Sequence, residues 1–495
     1  MTRREKGLEI RIVYVCVILF FAFFLLFPAA IILFKSVESK NGLTFSHFVS
    51  VFSAHDIWKA FSNSCWVSSL AALITTILAF IPAYTVNFTN IPMRLKKIIR
   101  TAAVFPMLLP TITYGFAIIY SFGRQGLLTK LFGRQLFDFY GFTGLLLGYV
   151  IYTLPVSFVL LNNTMSYVDK RFLTVTHIMG DSPFSSFCTA VFRPLLGTFA
   201  ASFVQCFFLA FTDFGIPASV GGRFTVIASL LYNIMIGTIP DFNNGSVVAI
   251  FMLLPSVISV IFLEYLQRFN VRYNKITVMD MRTNHVRDAV WTLFSAVILV
   301  SILSIFAVVF VLPFAAEWPY RLDFTFDHVV SVFQDKSLRG VFINSLTISF
   351  LTAVFGTILV YCSALVTARS NLTKKSRGLI EMMAQITNAV PGMVLGVAFL
   401  LAFKKTPLHN SLAIIIICNL VHFFATPYLM MRSSLDKLNA SWETTARLMG
   451  DSWIKTVVRI ITPNSISTLF EVFCYFFING MVTVSAIVFI ASART

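Results

Sequence analysis

The sequence predicts an all-α polytopic membrane protein built as two parallel-repeat transmembrane helix bundles, and three observations carry that prediction. The first is composition. Of 495 residues 57% are hydrophobic and 12% charged, with a mean hydropathy of +0.83, whereas about a quarter of the residues in a soluble domain are charged. The second is spacing, because runs of about twenty apolar residues, enough to cross a hydrocarbon layer about 30 Å thick, recur along the chain. The third is duplication, since local patterns return at an offset of 281 residues that falls to 270 further on.

Eleven such runs are expected, near residues 11–34, 60–84, 101–123, 142–165, 194–213, 246–267, 288–315, 342–368, 381–403, 411–433 and 464–490. Lipid offers no hydrogen-bond partner to a backbone, so each run is expected as an α-helix that satisfies its own N–H and C=O groups. The net charge of +17 does not point to nucleic acid. With the N-terminus cytoplasmic, 25 of the 38 Lys and Arg residues fall on the cytoplasmic side, clustered at Arg3–Arg11, Arg94–Arg100, Arg268–Arg287 and Arg369–Arg377. That asymmetry sets orientation. The first run is too long for a removed signal peptide and lacks a small-residue cleavage site after it, so it is expected to stay as an anchoring helix.

The repeat appears in chain order. An outer segment Ser36–Lys59 leads into a helix opening with Asn63-Ser64, and a second outer segment, Glu317–Arg339, leads into one opening with Asn344-Ser345. At the same offset Pro110-Thr-Ile-Thr-Tyr-Gly115 matches Pro391-Gly-Met-Val-Leu-Gly396, and the basic turns Met93–Arg100 and Lys374–Arg377 correspond. The longer loop Arg124–Gly141 accounts for the later drop in offset. Two similar membrane domains are therefore expected, residues 1–275 and 276–495, joined within the basic stretch Arg268–Arg287.

Each domain carries one cytoplasmic segment that is too polar to cross the bilayer and too apolar on one side to stay free. These are residues 169–194 and 436–463, both containing Met-Gly-Asp-Ser, at Met179–Ser182 and Met449–Ser452. In the second, Leu438, Trp442, Ala446, Met449, Trp453 and Val457 recur every three or four residues, which predicts an apolar stripe on a short helix pair. Lys437, Glu443, Arg447, Asp451 and Lys455 fall on the opposite face. One such segment alone would suit a helix resting on lipid headgroups; two in register with the repeat argue for docking onto a partner.

Few groups within the spans could do chemistry. Pro106, Pro110, Pro155, Pro391 and Pro427 are expected to interrupt or kink helices. Asp213 lies in Thr-Asp-Phe-Gly-Ile-Pro ahead of Gly221-Gly222-Arg223, a glycine-rich outer bend that either lines a mouth or holds an interfacial salt bridge. Glu471 and His422 are the other titratable groups at depth; an ionised group there is costly unless it faces a cavity or partner. Six of the seven cysteines, Cys16, Cys65, Cys206, Cys362, Cys418 and Cys474, lie inside spans and only Cys188 in a cytoplasmic segment. No disulfide or metal site is assigned to them. The sequence holds no G-x-x-x-x-G-K-[ST] phosphate loop and no H-E-x-x-H, so uphill transport by this chain would need an ion gradient or a separate ATPase.

The duplicated segment resembles the EAA loop of permease subunits of binding-protein-dependent ATP-binding cassette (ABC) importers. In that family it reads approximately E-A-A-x3-G-x9-I-x-L-P and forms the helices that enter clefts on the ATPase subunits. Here Glu443-Thr-Thr-Ala-Arg-Leu-Met-Gly450 with Pro463 thirteen residues after the glycine follows the pattern, the Glu standing one place early and one alanine being Thr. The first copy keeps Gly180-Asp-Ser-Pro183 and Pro194 but lacks the Glu, and is about three residues shorter before its glycine and one longer after it. The two-domain fusion, the Thr-Asp-Phe-Gly-Ile-Pro stretch and Met481-Val-Thr-Val-Ser-Ala-Ile-Val-Phe489 are similar to the ferric-iron branch, which also holds 2-aminoethylphosphonate, thiamine and polyamine permeases.

The resemblance implies the type I importer fold, a multi-pass subunit of the bacterial plasma (inner) membrane, and no enzymatic activity. It implies ATP and Mg on two separate ABC ATPase subunits at the cytoplasmic face, no cofactor bound by this chain, and a periplasmic or lipid-anchored solute-binding protein outside. Ferric iron is the first reading of the cargo, 2-aminoethylphosphonate, thiamine or polyamines the alternatives, and an ion-coupled secondary transporter the rival class. ATPase coupling is implied for Gly180, Asp181, Ser182, Glu443, Ala446, Gly450, Asp451 and Ser452. Asp213, Phe214, Gly215, Arg223, Pro110, Gly115, Pro391, Gly396 and Ser485 are the translocation-path candidates. Because the first repeat has a sixth helix, Ser246–Gln267, the repeat also predicts a twelfth helix beyond Thr495, an expectation that mass and terminal sequencing of the native protein would check.

Overall fold

The structure, a computed structural model, describes residues 8–491 apart from 136, 170, 268–283, 371 and 440. The join expected within Arg268–Arg287 lies mostly outside the described residues. Each of the eleven expected runs coincides with a helix or a bent helix pair. Seven are unbroken: Leu8–Val37, His55–Phe88, Phe142–Tyr167, Phe184–Thr212, Phe242–Leu263, His285–Phe314 and Lys336–Arg369.

The other four are broken. Met93–Leu108 turns by 104° into Thr111–Phe132, Lys374–Ala389 by 105° into Gly392–Phe403, Leu412–His422 by 56° into Ala425–Asp436, and Trp453–Asn464 by 78° into Ile466–Val482. The first two bends fall at the repeated prolines. A residue before proline is pushed out of the helical region, and Leu109 (φ −106°, ψ 143°) and Val390 (φ −85°, ψ 117°) are extended. Pro110 and Pro391 then cap the next helix with the same backbone, φ −59° in both. Pro155 instead sits inside the unbroken Phe142–Tyr167 helix, so proline alone does not break a span.

The chain forms two compact units. One comprises the described residues of Met1–Val51, Ile234–Leu253 and Phe333–Thr495; the other comprises those of Phe52–Asn233 and Leu254–Val332. The opening helix of each repeat thus packs against later helices of the other repeat. In the first unit Phe21 lies 4.6 Å from Phe424 edge to face, and Phe23 and Phe24 each lie 6.0 Å from Phe403. In the second unit Trp291 lies 4.2 Å from Tyr84, Phe306 5.1 Å from Tyr114, and the Ser295 and Thr85 hydroxyls are 2.7 Å apart. The division of the chain into repeats and the division into compact units are therefore different.

Sheet is confined to two small antiparallel hairpins among the described residues, Glu38–Ser39 with Gly42–Leu43 and Ala315–Glu317 with Arg321–Phe324. They are copies. His47 Nε2 is 3.0 Å from the Glu38 carbonyl, and His328 Nε2 is 3.1 Å from the Ala315 carbonyl.

Candidate functional site

Both Met-Gly-Asp-Ser segments fold into the same helix–turn–helix. Arg171–Ile178 and Ser441–Leu448 each end at a glycine in the left-handed region, Gly180 at φ +78° and Gly450 at φ +84°. The Asp181 N–H donates to the Thr176 carbonyl at 3.0 Å, and the Asp451 N–H to the Ala446 carbonyl at 2.9 Å. This is the six-to-one bond that closes a helix around a left-handed glycine. The next helix starts at once: Ser182 accepts from the Ser185 N–H and Ser452 from the Lys455 N–H, both at 3.2 Å. A side chain at either glycine would meet nothing within 4 Å, so backbone conformation and not space demands glycine there. The turn pushes Met179 and Met449 outward, 76% and 77% exposed, beside exposed Ile178, Phe184, Leu448 and Ile454. The stripe expectation is corrected at one position: Met449 is at the apex, whereas Ala446 and Val457 are buried.

A second correction concerns Glu443, expected on the open face. Its side chain is 11% exposed and faces Arg369, 4% exposed, with Nη2 donating to Oε2 at 2.7 Å and Nε 2.6 Å from Oε1. Arg369 also donates to the carbonyls of Leu438 and Asn439 at 2.8 and 3.1 Å. The guanidinium at the end of the Lys336–Arg369 helix therefore ties down the start of the segment. The repeat offsets align Arg369 with Phe88 and Glu443 with Leu173, so the first copy has apolar residues where the second has an ion pair. The first copy instead joins its two short helices through the Thr176 and Ser186 hydroxyls.

The translocation-path candidates are brought together within each unit by close approach. In one, a Cβ on Gly115 would stand 1.6 Å from Ser219 Oγ, and one on Gly215 would stand 2.1 Å from Thr111 Oγ1. The helix after Pro110 thus interlocks with the Gly215–Val220 helix. In the other unit a Cβ on Gly396 would stand 2.4 Å from the Ala486 carbonyl, and one on Gly392 would stand 2.9 Å from Ser485 Oγ. The helix after Pro391 meets the turn after Val482 in the same way. Asp213 is buried and caps the Gly215–Val220 helix, Oδ2 accepting the Ile216 N–H at 2.9 Å. Phe214 is buried with its ring 4.8 Å from Tyr232. Among the described residues Asp213 and Arg223 form no ion pair.

Arg223 goes elsewhere. It lines a cavity of about 1380 Å³ together with Lys59, Arg124, Gln125, Asp138 and Trp318, among others. The Gly141 N–H donates to the Val220 carbonyl at 2.8 Å, clipping the Arg124–Gly141 loop to the glycine-rich bend and shaping one wall. The helices His55–Phe88 and Phe142–Tyr167 run from this end of the unit toward the Gly180 end, and Arg193–Thr212 runs back. At about 1.5 Å per residue, these helices separate cavity and Gly180 turn by some 30–50 Å.

Two features escaped sequence reading. Leu43-Thr-Phe-Ser-His-Phe-Val-Ser-Val-Phe52 returns as Phe324-Thr-Phe-Asp-His-Val-Val-Ser-Val-Phe333, a legible signal at the same offset of 281. Asn419 is fully buried with both amide atoms unpartnered among the described residues, one turn before His422, whose Nδ1 is also unpartnered; a lone Asn in an apolar run gives no pattern to read.

Comparison with known proteins agrees with this architecture. The ferric transport system permease protein FbpB of Actinobacillus pleuropneumoniae is 24% identical over 97% of this chain and 71% of its own length. FbpB 1 of Haemophilus influenzae is 24% identical over 97% of this chain and 78% of its own. The molybdenum transport system permease protein ModB of Azotobacter vinelandii is 26% identical over 31% of this chain and 69% of its own. Residues 76–273 and 360–494 match the family described as binding-protein-dependent transport system inner membrane component, and the chain belongs to that family.

Proposed function

We propose that this permease is driven by two ATPase subunits that dock on the turns at Gly180 and Gly450, and that it imports ferric iron delivered by a solute-binding protein on the opposite face. The observation that carries the docking assignment is the pair of matching turns, each presenting an exposed methionine and neighbouring apolar side chains. Isolated exposed apolar residues need no partner, but two copies of one apolar apex on a rigid turn do. In this reading the turns and the N-terminus face the cytoplasm of a bacterial cell, and the unit end holding Arg223 faces outward. ATP-driven closure of the ATPase pair moves the two turns, and the solute path opens alternately to each side.

Iron as cargo is supported by the two relatives that align over 97% of the chain. The three cations lining the outer cavity favour a second reading, an organophosphonate such as 2-aminoethylphosphonate. The companion binding protein, crosslinked to this permease in native membranes and purified, separates the two. A ligand that binds only the folded partner raises its melting temperature. A rise with ferric iron alone supports the iron reading, and a rise with 2-aminoethylphosphonate alone replaces it. An ion-coupled carrier would transport in vesicles lacking any ATPase, which this proposal forbids.

A further inference from the structure

We propose that the cavity around Arg223 is an anion site, and that the solute enters this permease carrying net negative charge, as a free oxyanion or as a ferric complex whose carboxylate or phosphate ligands outweigh the metal's charge. The inference rests on the importer reading and narrows its substrate class. Three cations line the cavity, Lys59, Arg124 and Arg223, against one carboxylate, Asp138. None of the three cations has an ion-pair partner among the described residues. Asp138 is already engaged, its Oδ1 accepting the Tyr140 N–H at 3.1 Å.

Bare ferric ion is a hard cation that seeks several anionic oxygen ligands, and beside the phenols of Tyr120 and Tyr140 this wall offers a single carboxylate, Asp138, against three cations. Unpaired guanidinium and ammonium groups are instead the chemistry that recognises phosphate-like and carboxylate oxygens. A cavity lined by one sign of charge also concentrates the opposite ion at its mouth. Its volume, about 1380 Å³, exceeds the space a single ion requires and suits a ligated complex or an organic anion. Asp213, the acid on which a cation path would depend, does not line this cavity and is committed to its helix cap.

The test uses the full chain with its ATPase subunits in nanodiscs and two labelled probes, ferric citrate and 2-aminoethylphosphonate. Equilibrium binding is measured for the native complex, for the triple variant Lys59→Gln, Arg124→Gln, Arg223→Gln, and for Asp138→Asn. At least one probe is expected to bind saturably, more weakly as salt rises, with affinity reduced by about tenfold or more in the triple variant and raised in Asp138→Asn. The probe that binds identifies the source of the oxygen anion. Trp318 lines the cavity, so its emission, isolated by difference against Trp318→Phe, should change on binding and place the probe there. The three cations are exposed, so the triple variant should keep its melting temperature. Saturable binding of neither probe, equal affinity in the triple variant, or loss of binding in Asp138→Asn would each overturn the anion site. ATPase-dependent uptake measured on the same complex separates the two claims: uptake that needs the ATPase while no probe binds leaves the importer reading standing and removes only this one.

Discussion

The segments around Gly180 and Gly450 build one turn with two different fastenings. Their glycines, closing hydrogen bonds and serine caps correspond residue for residue, yet Arg369 and Glu443 hold one segment where Phe88 and Leu173 stand in the other. A turn that must present a fixed shape to a partner leaves little freedom in its backbone, whereas the contact behind it can be polar or apolar provided both sides agree. Buried ion pairs are often replaceable by well-packed apolar residues, while removing one partner leaves an uncompensated charge. The second segment has one further tie: Glu9 accepts the Ile454 N–H at 3.3 Å, linking the opening helix to it.

The largest effect should come from breaking that pair on one side only. Glu443→Ala, which strands a nearly buried guanidinium, is expected to cost about 3–5 kcal/mol, seen as lost hydrogen-exchange protection across 436–463 and a lower melting temperature. The paired change Arg369→Phe with Glu443→Leu copies the first segment's residues and should recover most of the loss. Failure to recover would mean that the two segments do not share the same backing.

A smaller and equal effect is expected at the two glycines. Gly180→Ala and Gly450→Ala place a Cβ on a left-handed residue, at a cost of about 1–2 kcal/mol each, and unequal exchange rates would break the correspondence of the turns. Removing either serine cap, by Ser182→Ala or Ser452→Ala, should cost about 1 kcal/mol, read as faster exchange of the Ser185 or Lys455 amide. Smallest in stability are Met179→Asp and Met449→Asp, which should shift it by under about 0.5 kcal/mol because both side chains are exposed, while ATP-driven uptake falls in both.

Much of this was legible in sequence because bilayer physics constrains it. The eleven spans follow from apolar length, and the duplicated Pro-x4-Gly marks the two right-angled entries, since proline fixes its own φ and the conformation of the residue before it. The glycines of Met-Gly-Asp-Ser were legible for a similar reason: few residues other than glycine readily occupy that backbone. Pairings distant in sequence were not legible. Arg369 and Glu443 lie 74 positions apart, and periodicity put Glu443 on the open face because a helical wheel does not know which neighbour covers it. The exchange of opening helices was equally hidden, because the phenylalanines of Leu8–Val37 look the same whichever bundle they fill. Asp213 was legible as an acid at depth, but its hydrogen bond from the Ile216 N–H was not, because no periodicity marks the short helix that it caps.

The most direct test of the docking assignment is ATP-dependent uptake of the cargo by proteoliposomes holding this chain, its ATPase subunits and its binding protein, measured for the native chain and for Met449→Asp. No uptake is expected when the ATPase subunits are omitted, and a fall of about tenfold or more is expected in the variant, corresponding to about 1.4 kcal/mol of lost coupling, at an unchanged melting temperature. Native uptake by the variant, or uptake driven by an ion gradient without the ATPase, would contradict the docking assignment.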